Sequence, residues 1–385
     1  MLYVGLDVHS KQSSLCILNS AGGTVNEIQL KGPRSSVVDR LRQLQEPFSV
    51  CYEASCGYGH LYEQLRPLAH HVAVAHPGKL RLIYRSKRKN DRVDAQKLAK
   101  LLLLDMVPPV HVPSIDVRAW RSLIVLRQRL LAQVVRAKNQ IRGVLRENDI
   151  QGAKWLWSKK QLLWLESLDL HPVAKLRLEL AVQEFKSLNE KIKRIEKELQ
   201  KYADRTPAVT LLMTIPGVGI RTAETFVAWV DDITRFRNNR QIGSYFGLVP
   251  CQDASADKNR LGHITRDGPP VMRKLICEAT WTAIKKCPRF KEFFEQVMGG
   301  KSERKKIALV ATMHRMTKVM GAMLRSGESY RGIEPSGSPL RKTPDASAGR
   351  RSSGGVKKGQ VECRVRAGVE QWLNLVAPAL MRDVR

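Results

Sequence analysis

The stretch LYVGLDVHSKQSSLCILNSAGGTVNEIQL, residues 2–30, decides the fold of the first part of the chain. It holds three apolar runs of strand length, at 2–8, 13–19 and 23–30, and the turn SAGG separates the last two. Short apolar runs bounded by turn residues predict three consecutive strands. Further along, the spacing predicts an alternation of helix and strand, over 35–45, 48–54, 57–68, 71–77 and 91–105. This order predicts an α/β fold, with a mixed sheet and helices on its faces.

The rest of the chain has a different pattern. Apolar residues recur about every 3.5 positions over 120–144 and 178–199, flanked by Lys, Arg and Glu. This spacing predicts long helices in a coiled coil or a helical hairpin, and leaves open whether the partner helix belongs to the same chain or to a second one. Residues after 205 indicate a mainly α-helical unit, and a basic Gly/Ser/Pro-rich stretch predicts a flexible tail. The expected domains are 1–112, 113–204, 205–326 and 327–385.

The charge balance points to a polyanionic partner. The 385 residues include 66 Lys and Arg against 36 Asp and Glu, a formal net charge of +30. Such a surplus repels itself unless a polyanion neutralises it, so nucleic acid is the expected ligand. A structural RNA-binding role, or a basic protein without a specific partner, is the alternative. The seven cysteines form no CxxC pair and no apolar run is long enough for a bilayer. We therefore expect reduced thiols in a cytoplasm, no zinc site, no secretory signal and no membrane partner.

Four carboxylates occupy positions where they can meet. Asp7 and Glu53 stand at the ends of two predicted strands, while Asp91 and Asp94 are spaced i, i+3 on one helix face. Basic residues crowd the last pair: Lys87, Arg88, Lys89 and Arg92. Gathered carboxylates are stable only with cations, and oxygen ligands suit Mg²⁺ or Mn²⁺. In this interpretation the basic residues attract a phosphate backbone and the carboxylates hold the metal that acts on it. The alternative for Asp91 and Asp94 is a solvated helix face with local salt bridges.

Three segments carry a resemblance. YVGLDVHSK, YEASCGYG and KNDRVDAQKLA resemble the signature blocks of the DEDD transposases of the bacterial insertion-sequence family 110/1111, which are bridge-RNA-guided DNA recombinases. The resemblance implies a RuvC-like, RNase H-type first domain, with Asp7, Glu53, Asp91 and Asp94 as the catalytic metal-binding tetrad. It also implies donor and target DNA, a noncoding bridge RNA, and a homodimer or tetramer joined through the helical middle, in a bacterial, nucleoid-associated setting.

A glycine pair marks a second candidate element. IPGVGIRTAETFVAWV, residues 215–230, places Gly217 and Gly219 in a tight turn between apolar helical segments. Glycines allow close backbone approach, and N–H groups at a helix start bind phosphate. The segment resembles a helix-hairpin-helix element that contacts the DNA backbone without reading its sequence. An ordinary turn between helices is the alternative.

The last motif is IGSYFGLVPCQDASADKNRLGHITRDGPPVMRKL, residues 242–275, which resembles the C-terminal block of the same family. The family's serine falls on Ser255, so the resemblance implies a nucleophile that forms a covalent phosphoserine link with DNA. Ala256 and Asp257 depart from the small residues or glycine usual after that serine, and Ser244 is a less favoured substitute. Basic residues predicted to bind phosphate nearby are Lys258, Arg260, Arg266 and Arg273.

The resemblance implies a transposase that cleaves and rejoins DNA. Two rival functions stay open: a RuvC-like nuclease of the junction-resolvase type, which needs no serine, and a noncatalytic nucleic-acid scaffold. His9 and His263 flank the two motifs, and we interpret them as surface residues. The side chains of Trp155, Trp157 and Trp164 fit an apolar helix face about as well as a base-stacking role.

Overall fold

The computed structural model describes residues 1–83, 91–153, 155–255 and 258–331, with backbone only at 81–82, 253–255 and 258–261. The described chain divides into two compact units, Met1–Arg118 and a second unit from Ala119 onward. The helical middle and the C-terminal helices fall in the same unit, and the finer four-part division stays a prediction. Three predicted DNA ligands (Lys87, Arg88 and Lys89) and most of the predicted tail lie outside the described residues.

A five-stranded mixed sheet organises the first unit, as predicted. Its spatial order is β3-β2-β1-β4-β5. The strands β1, β2 and β3 pair antiparallel, whereas β4 runs parallel to both β1 and β5. The strands are β1 (Leu2–Val8), β2 (Gln12–Leu18), β3 (Thr24–Lys31), β4 (Phe48–Glu53) and β5 (His71–Ala75). The helices are α1 (Ser35–Arg42), α2 (Tyr58–Leu65), α3 (Pro77–Ile83) and α4 (Asp91–Leu103).

Side-chain alternation along β1 assigns the two faces of this sheet. Val4 and Leu6 are fully buried and pack with apolar residues of α1 and α2. Because successive side chains of a strand point to opposite faces, Gly5 and Asp7 lie on the other face. Helix α4 covers that second face, where its Ala95 and Ala99 pack against Cys16 and Leu18 of β2. The candidate carboxylates of β1 and α4 therefore share one side of the sheet.

Two long antiparallel helices begin the second part of the chain. They are α5 (Ile115–Glu147) and α7 (Pro172–Asp204), and the short α6 (Lys159–Glu166) lies between them in sequence. Arg127 pairs with Glu196 at 2.6 Å and Arg177 with Glu147 at 2.6 Å, which fixes the antiparallel register. Apolar residues of both heptad-like runs share one buried cluster. The sequence left open which chain supplies the partner helix, and here α5 and α7 of one chain pack on each other. A coiled coil with a second copy stays a prediction.

The remaining elements are mostly helical, with one exception. The helices are α8 (Pro207–Met213), α9 (Ile220–Val230), α10 (Asn239–Tyr245), α11 (Pro270–Lys286), α12 (Pro288–Met298) and α13 (Lys305–Ser326). A two-stranded hairpin, β6 (Pro250–Ser255) and β7 (Lys258–Ile264), interrupts them. The sequence predicts a mainly α-helical unit here, so the two strands are a difference from that prediction. One core joins Trp120 and Leu199 of the long helices to α8, α9, α11 and α13. No helix among the described residues has both the length and the apolar character needed to span a bilayer.

Candidate active site

Helix α4 makes its closest approach to the sheet at Gly5. A Cβ added to Gly5 would lie 2.0 Å from the carbonyl oxygen of Ala95 and 2.4 Å from the amide nitrogen of Ala99. The residues in register with Gly5 on the neighbouring strands are Cys16 and Cys51, which are also small. Only a residue without a side chain permits this backbone-to-backbone contact. The contact seats α4 on β1, so its first turn lies near the carboxyl end of that strand.

The first turn of α4 meets Asp7 there. Carboxylate or imidazole atoms of Asp7, His9 and Asp91 all lie within 4.8 Å of one another. The Nε2 atom of His9 is 3.3 Å from Oδ2 of Asp7. The Asp7 side chain is 18% exposed and that of His9 is 51% exposed. We define this group of three residues as the Asp7 cluster.

The electrostatics of the Asp7 cluster favour a cation. Burial raises the pKa of Asp7, and the nearby charges of Asp91 and Asp94 raise that pKa further. His9 acts in the opposite direction, through its charge and its hydrogen bond. A divalent cation would remove the repulsion between these carboxylates, and their oxygens are the ligands that Mg²⁺ and Mn²⁺ prefer. The residues present therefore fit a divalent metal.

Glu53 and Asp94 lie near the Asp7 cluster but are not among its three residues. Glu53 is the exposed last residue of β4, and the parallel register that pairs Leu6 with Tyr52 aligns it with Asp7. On α4, Nζ of Lys97 donates to Oδ1 of Asp94 at 2.9 Å. The structure thus brings together Asp7 and Asp91 of the predicted tetrad. The roles of Glu53 and Asp94 as metal ligands stay predictions.

Sequence reasoning missed three residues at this end of the sheet. His9 is exposed, as interpreted, yet it belongs to the Asp7 cluster; the strand period of two was the available signal. Lys11 lines a cavity of about 440 Å³ together with Asp91, which places a cation beside the carboxylates. Ser14 lies opposite Asp7 in the register of β1 and β2. Its hydroxyl is buried and has no hydrogen-bond partner among the described residues.

The arginines predicted to bind phosphate have different surroundings in the structure. Arg92 is exposed, and its Nη2 lies 3.4 Å from Oε1 of Gln29. Arg266 is exposed, with a φ of 57°. Nη1 of Arg273 donates to three backbone carbonyls, of Phe246, Asp267 and Gly268. Arg273 therefore stabilises the loop before α11 through these hydrogen bonds. Its contact with phosphate stays a prediction.

The two glycines between α8 and α9 have different surroundings. Gly217 has a φ of +97°, and a Cβ there would lie 2.6 Å from the amide nitrogen of Ala283. Its lack of a side chain is needed for packing on α11. Gly219 is the N-cap of α9, and an added Cβ there would meet no atom within 4 Å. Gly219 is thus the one with room for a ligand, while phosphate binding by either glycine stays a prediction.

Ser255 ends β6, and its backbone pairs with Lys258 at the start of β7. This position puts the candidate nucleophile at the end of a strand. The side chains of Ser255, Lys258 and Arg260 lie outside the described residues. The substitute, Ser244, is exposed near the end of α10.

Comparison with known proteins gives two family matches. The Transposase IS116/IS110/IS902 family matches residues 209–295, and a transposase family of the DEDD type, IS110, matches residues 4–148. The first range contains Ser255, and the second contains all four carboxylates of the predicted tetrad.

Individual transposases are similar over most of their length. A Sinorhizobium fredii protein that carries a transposase name, y4pF/y4sB, is 28% identical over 293 residues, which cover 75% of this chain and 76% of that protein. The transposase for insertion sequence element IS1111A of Coxiella burnetii is 26% identical over 334 residues, 85% of this chain and 91% of that protein. The transposase for element IS1328 of Yersinia enterocolitica is 28% identical over 233 residues, 60% and 70% respectively.

Proposed function

This chain belongs to the IS110 family and is a transposase, and from that premise we propose that it cleaves and rejoins DNA at a divalent-metal site. The proposed metal-binding tetrad is Asp7, Glu53, Asp91 and Asp94, on a RuvC-like fold. The observation that supports it most is the Asp7 cluster, in which ligand atoms from β1 and α4 approach within 4.8 Å.

The metal and the chain have separate roles in this proposal. When bound, Mg²⁺ or Mn²⁺ neutralises the carboxylates and polarises a phosphodiester. Asp7 and Asp91 would hold the ion, and Lys11, which lines the same cavity as Asp91, would bind a phosphate oxygen of the DNA backbone. The exposed Arg92 adds positive charge on the same helix. Together these residues orient the backbone for cleavage.

Ser255 is the proposed nucleophile. Its hydroxyl oxygen forms a bond to phosphorus while the bond from phosphorus to the departing strand's oxygen breaks. The serine loses its proton, and the departing oxygen gains one. Because the ester bond is kept as a phosphoserine link, the reverse reaction with a new strand rejoins DNA without ATP. Support comes from the family match that spans Ser255 and from its place at the end of β6, paired with the basic residue Lys258.

The proposed partners are donor DNA, target DNA and a noncoding bridge RNA that pairs with both. A net charge of +30 supports the binding of more than one polyanion. We also propose a homodimer or a tetramer, with the long helices α5 and α7 as the contact between copies. Exposed apolar residues on α7 support this: Val173, Leu176 and Leu180.

The test is to incubate the full-length protein with Mg²⁺, labelled element-end DNA and the RNA that copurifies with it, and then to denature the mixture. We expect a protein–DNA adduct that is lost in Ser255→Ala and in Asp7→Asn and is kept in the matched control Ser244→Ala. Nicked DNA without an adduct, formed equally by the wild type and Ser255→Ala, would establish a nuclease instead. Absence of any cleavage with Mg²⁺ or Mn²⁺ would establish a scaffold.

A further inference from the structure

The C-terminal end of α5 and the segment before α6 enclose a cavity of about 500 Å³, far in sequence from the carboxylates. This volume is within the range of small-ligand sites. Its lining includes Arg142 and Arg146, which we call the basic wall, and the buried Leu145 and Leu156, which we call the apolar wall. The indole of Trp157 also lines it. We call it the α5–α6 cavity.

Cation–π contacts with Trp157 hold the side chain of Arg142, a residue of the basic wall, in position. The guanidinium of Arg142 lies 5.2 Å from the centre of the Trp157 ring, and Nζ of Lys138 lies 4.9 Å from the same ring. The Trp157 ring in turn packs on Phe185 of α7, with 5.4 Å between ring centres. Cation–π contacts of this kind hold a guanidinium in place while its N–H groups stay able to donate. The basic wall can therefore bind an anion beside the ring of Trp157.

The acidic residue of the cavity narrows the choice of ligand. Asp149 lines the cavity together with the two arginines. It repels a phosphate placed against it and accepts hydrogen bonds from N–H or O–H donors. A ligand that fits all sides carries a phosphate, a flat apolar part, and a donor such as a base amino group or a ribose hydroxyl. A nucleotide has all three.

We propose that the α5–α6 cavity binds an unpaired nucleotide of a single nucleic-acid strand. Arg142 and Arg146 bind its phosphate, the apolar wall and the Trp157–Arg142 stack contact its base, and Asp149 accepts a hydrogen bond from the base edge or the sugar. A base inside a duplex is stacked on both faces and paired along one edge, so it cannot enter the cavity. The cavity therefore distinguishes a single strand from duplex DNA. This binding needs no metal and does not depend on the cleavage chemistry proposed above.

The test compares two double variants that lose the same charge from the same helix. Arg142→Ala with Arg146→Ala removes the basic wall, whereas Arg129→Ala with Arg136→Ala removes two exposed arginines of α5 that do not line the cavity. Affinities of the full chain are measured by fluorescence anisotropy in EDTA, for labelled oligo(U) RNA and oligo(dT) DNA of about 12 nucleotides and for a DNA duplex.

We expect the cavity double variant to lose at least about tenfold more single-strand affinity than the control, because both charged phosphate contacts and the arginine of the Trp157–Arg142 stack are lost. Duplex affinity should fall equally in both double variants. A third variant, Ala153→Trp, fills the cavity without changing charge and should also lose single-strand affinity. A loss confined to RNA identifies an RNA strand as the occupant, and a loss with both strands shows that the cavity binds a single strand whichever sugar it carries. Equal losses in the two double variants, or unchanged binding by Ala153→Trp with native circular dichroism, would overturn the proposal.

Discussion

Asp7 shows how position changes the chemistry of one residue. A carboxylate at the end of a strand is normally solvated, but here burial and two further carboxylates raise its pKa. A partly buried anion of this kind is stabilised by a cation or by hydrogen-bond donors. Residues that donate hydrogen bonds to Asp7 are therefore expected to affect metal affinity about as strongly as the metal ligands themselves.

Ser14 is the first residue whose role can be tested. Ser13 and Ser14 are both 2% exposed, and both hydroxyls lack a hydrogen-bond partner among the described residues. They face opposite sides of the sheet, and only Ser14 lies opposite Asp7. Because its buried hydroxyl has no partner among the described residues, we expect it to donate to the Asp7 carboxylate when Mn²⁺ is bound, so that Ser14→Ala weakens Mn²⁺ binding about tenfold. Titration calorimetry with Mn²⁺ measures this.

Ser13→Ala is the matched control for that measurement. It removes an equally buried hydroxyl from the same strand, on the side of α1 and α2, and should leave Mn²⁺ binding unchanged. Equal effects of the two substitutions would mean that Ser14 does not orient the Asp7 cluster.

Glu224 of α9 predicts a pH dependence of stability. Its side chain is 1% exposed, and burial raises its pKa to about 7 from 4.5, although Arg221 acts to lower it. The folded state thus holds a proton that the unfolded state has lost. The resulting stability is fully present below about pH 4.5 and is lost as the pH rises to 7. The change is at most about 3 kcal/mol.

We expect Glu224→Gln to show a smaller fall in melting temperature between pH 5 and pH 8 than the wild type, because glutamine does not titrate. Thermal melts at the two pH values measure the difference. Glu292→Gln, which changes an exposed glutamate of α12, should behave as the wild type does. Parallel behaviour of the wild type and Glu224→Gln would contradict a raised pKa at this position.

At the scale of elements, the two glycines of the turn between α8 and α9 have different roles: Gly217 is needed for packing, and Gly219 is the candidate for binding phosphate. The chain has room at Gly219 and none at Gly217. Gly217→Ala should destabilise the protein by about 1–3 kcal/mol, since the new methyl group overlaps the backbone of α11. The N-terminus of α9, capped by Gly219, is where a phosphate contact is expected.

Gly219→Asp should move stability and DNA binding in opposite directions. Aspartate is a good N-cap, so the helix should be as stable as in the wild type or slightly more so. Its charge repels phosphate, so duplex affinity should fall about tenfold, the equivalent of one charged hydrogen bond. Gly219→Asn provides the same cap without the charge and should bind as the wild type does. Gel-shift titrations and thermal melts measure both quantities, and normal binding by Gly219→Asp would exclude the phosphate contact.

At the scale of the whole molecule, the net charge of +30 dominates. We expect the logarithm of the affinity for duplex DNA to fall linearly with the logarithm of the salt concentration, because bound phosphates release counterions. With six to ten phosphate contacts the loss between 50 and 200 mM salt would be about 10³ to 10⁵. Anisotropy titrations across this range measure the slope. A slope near zero would show that the surplus charge does not contact the backbone.

Much of the architecture could be predicted from local patterns. The strands of the mixed sheet and the long helices were found because apolar periodicity depends only on neighbouring residues. Helix α3 was missed because Pro77 and Gly78 are typical of a turn. The hairpin β6–β7 was missed because its two strands, PCQDAS and KNRLGHI, are polar and lack a regular alternation. Each strand is recognisable only through its partner.

The sequence by itself determined the fold class, the family resemblance and the set of candidate carboxylates, since all three are properties of short segments. Tertiary structure alone decided which of these groups meet. Asp7 and Asp91 are 84 positions apart. They approach each other because Gly5 has no side chain, which allows the backbone of α4 to pack directly on β1. The position of Ser14 opposite Asp7 and the α5–α6 cavity also depend on packing, whereas His9 is two residues from Asp7 and the strand period could have indicated it. Contacts between distant elements depend on the packing of whole surfaces, which no short segment contains.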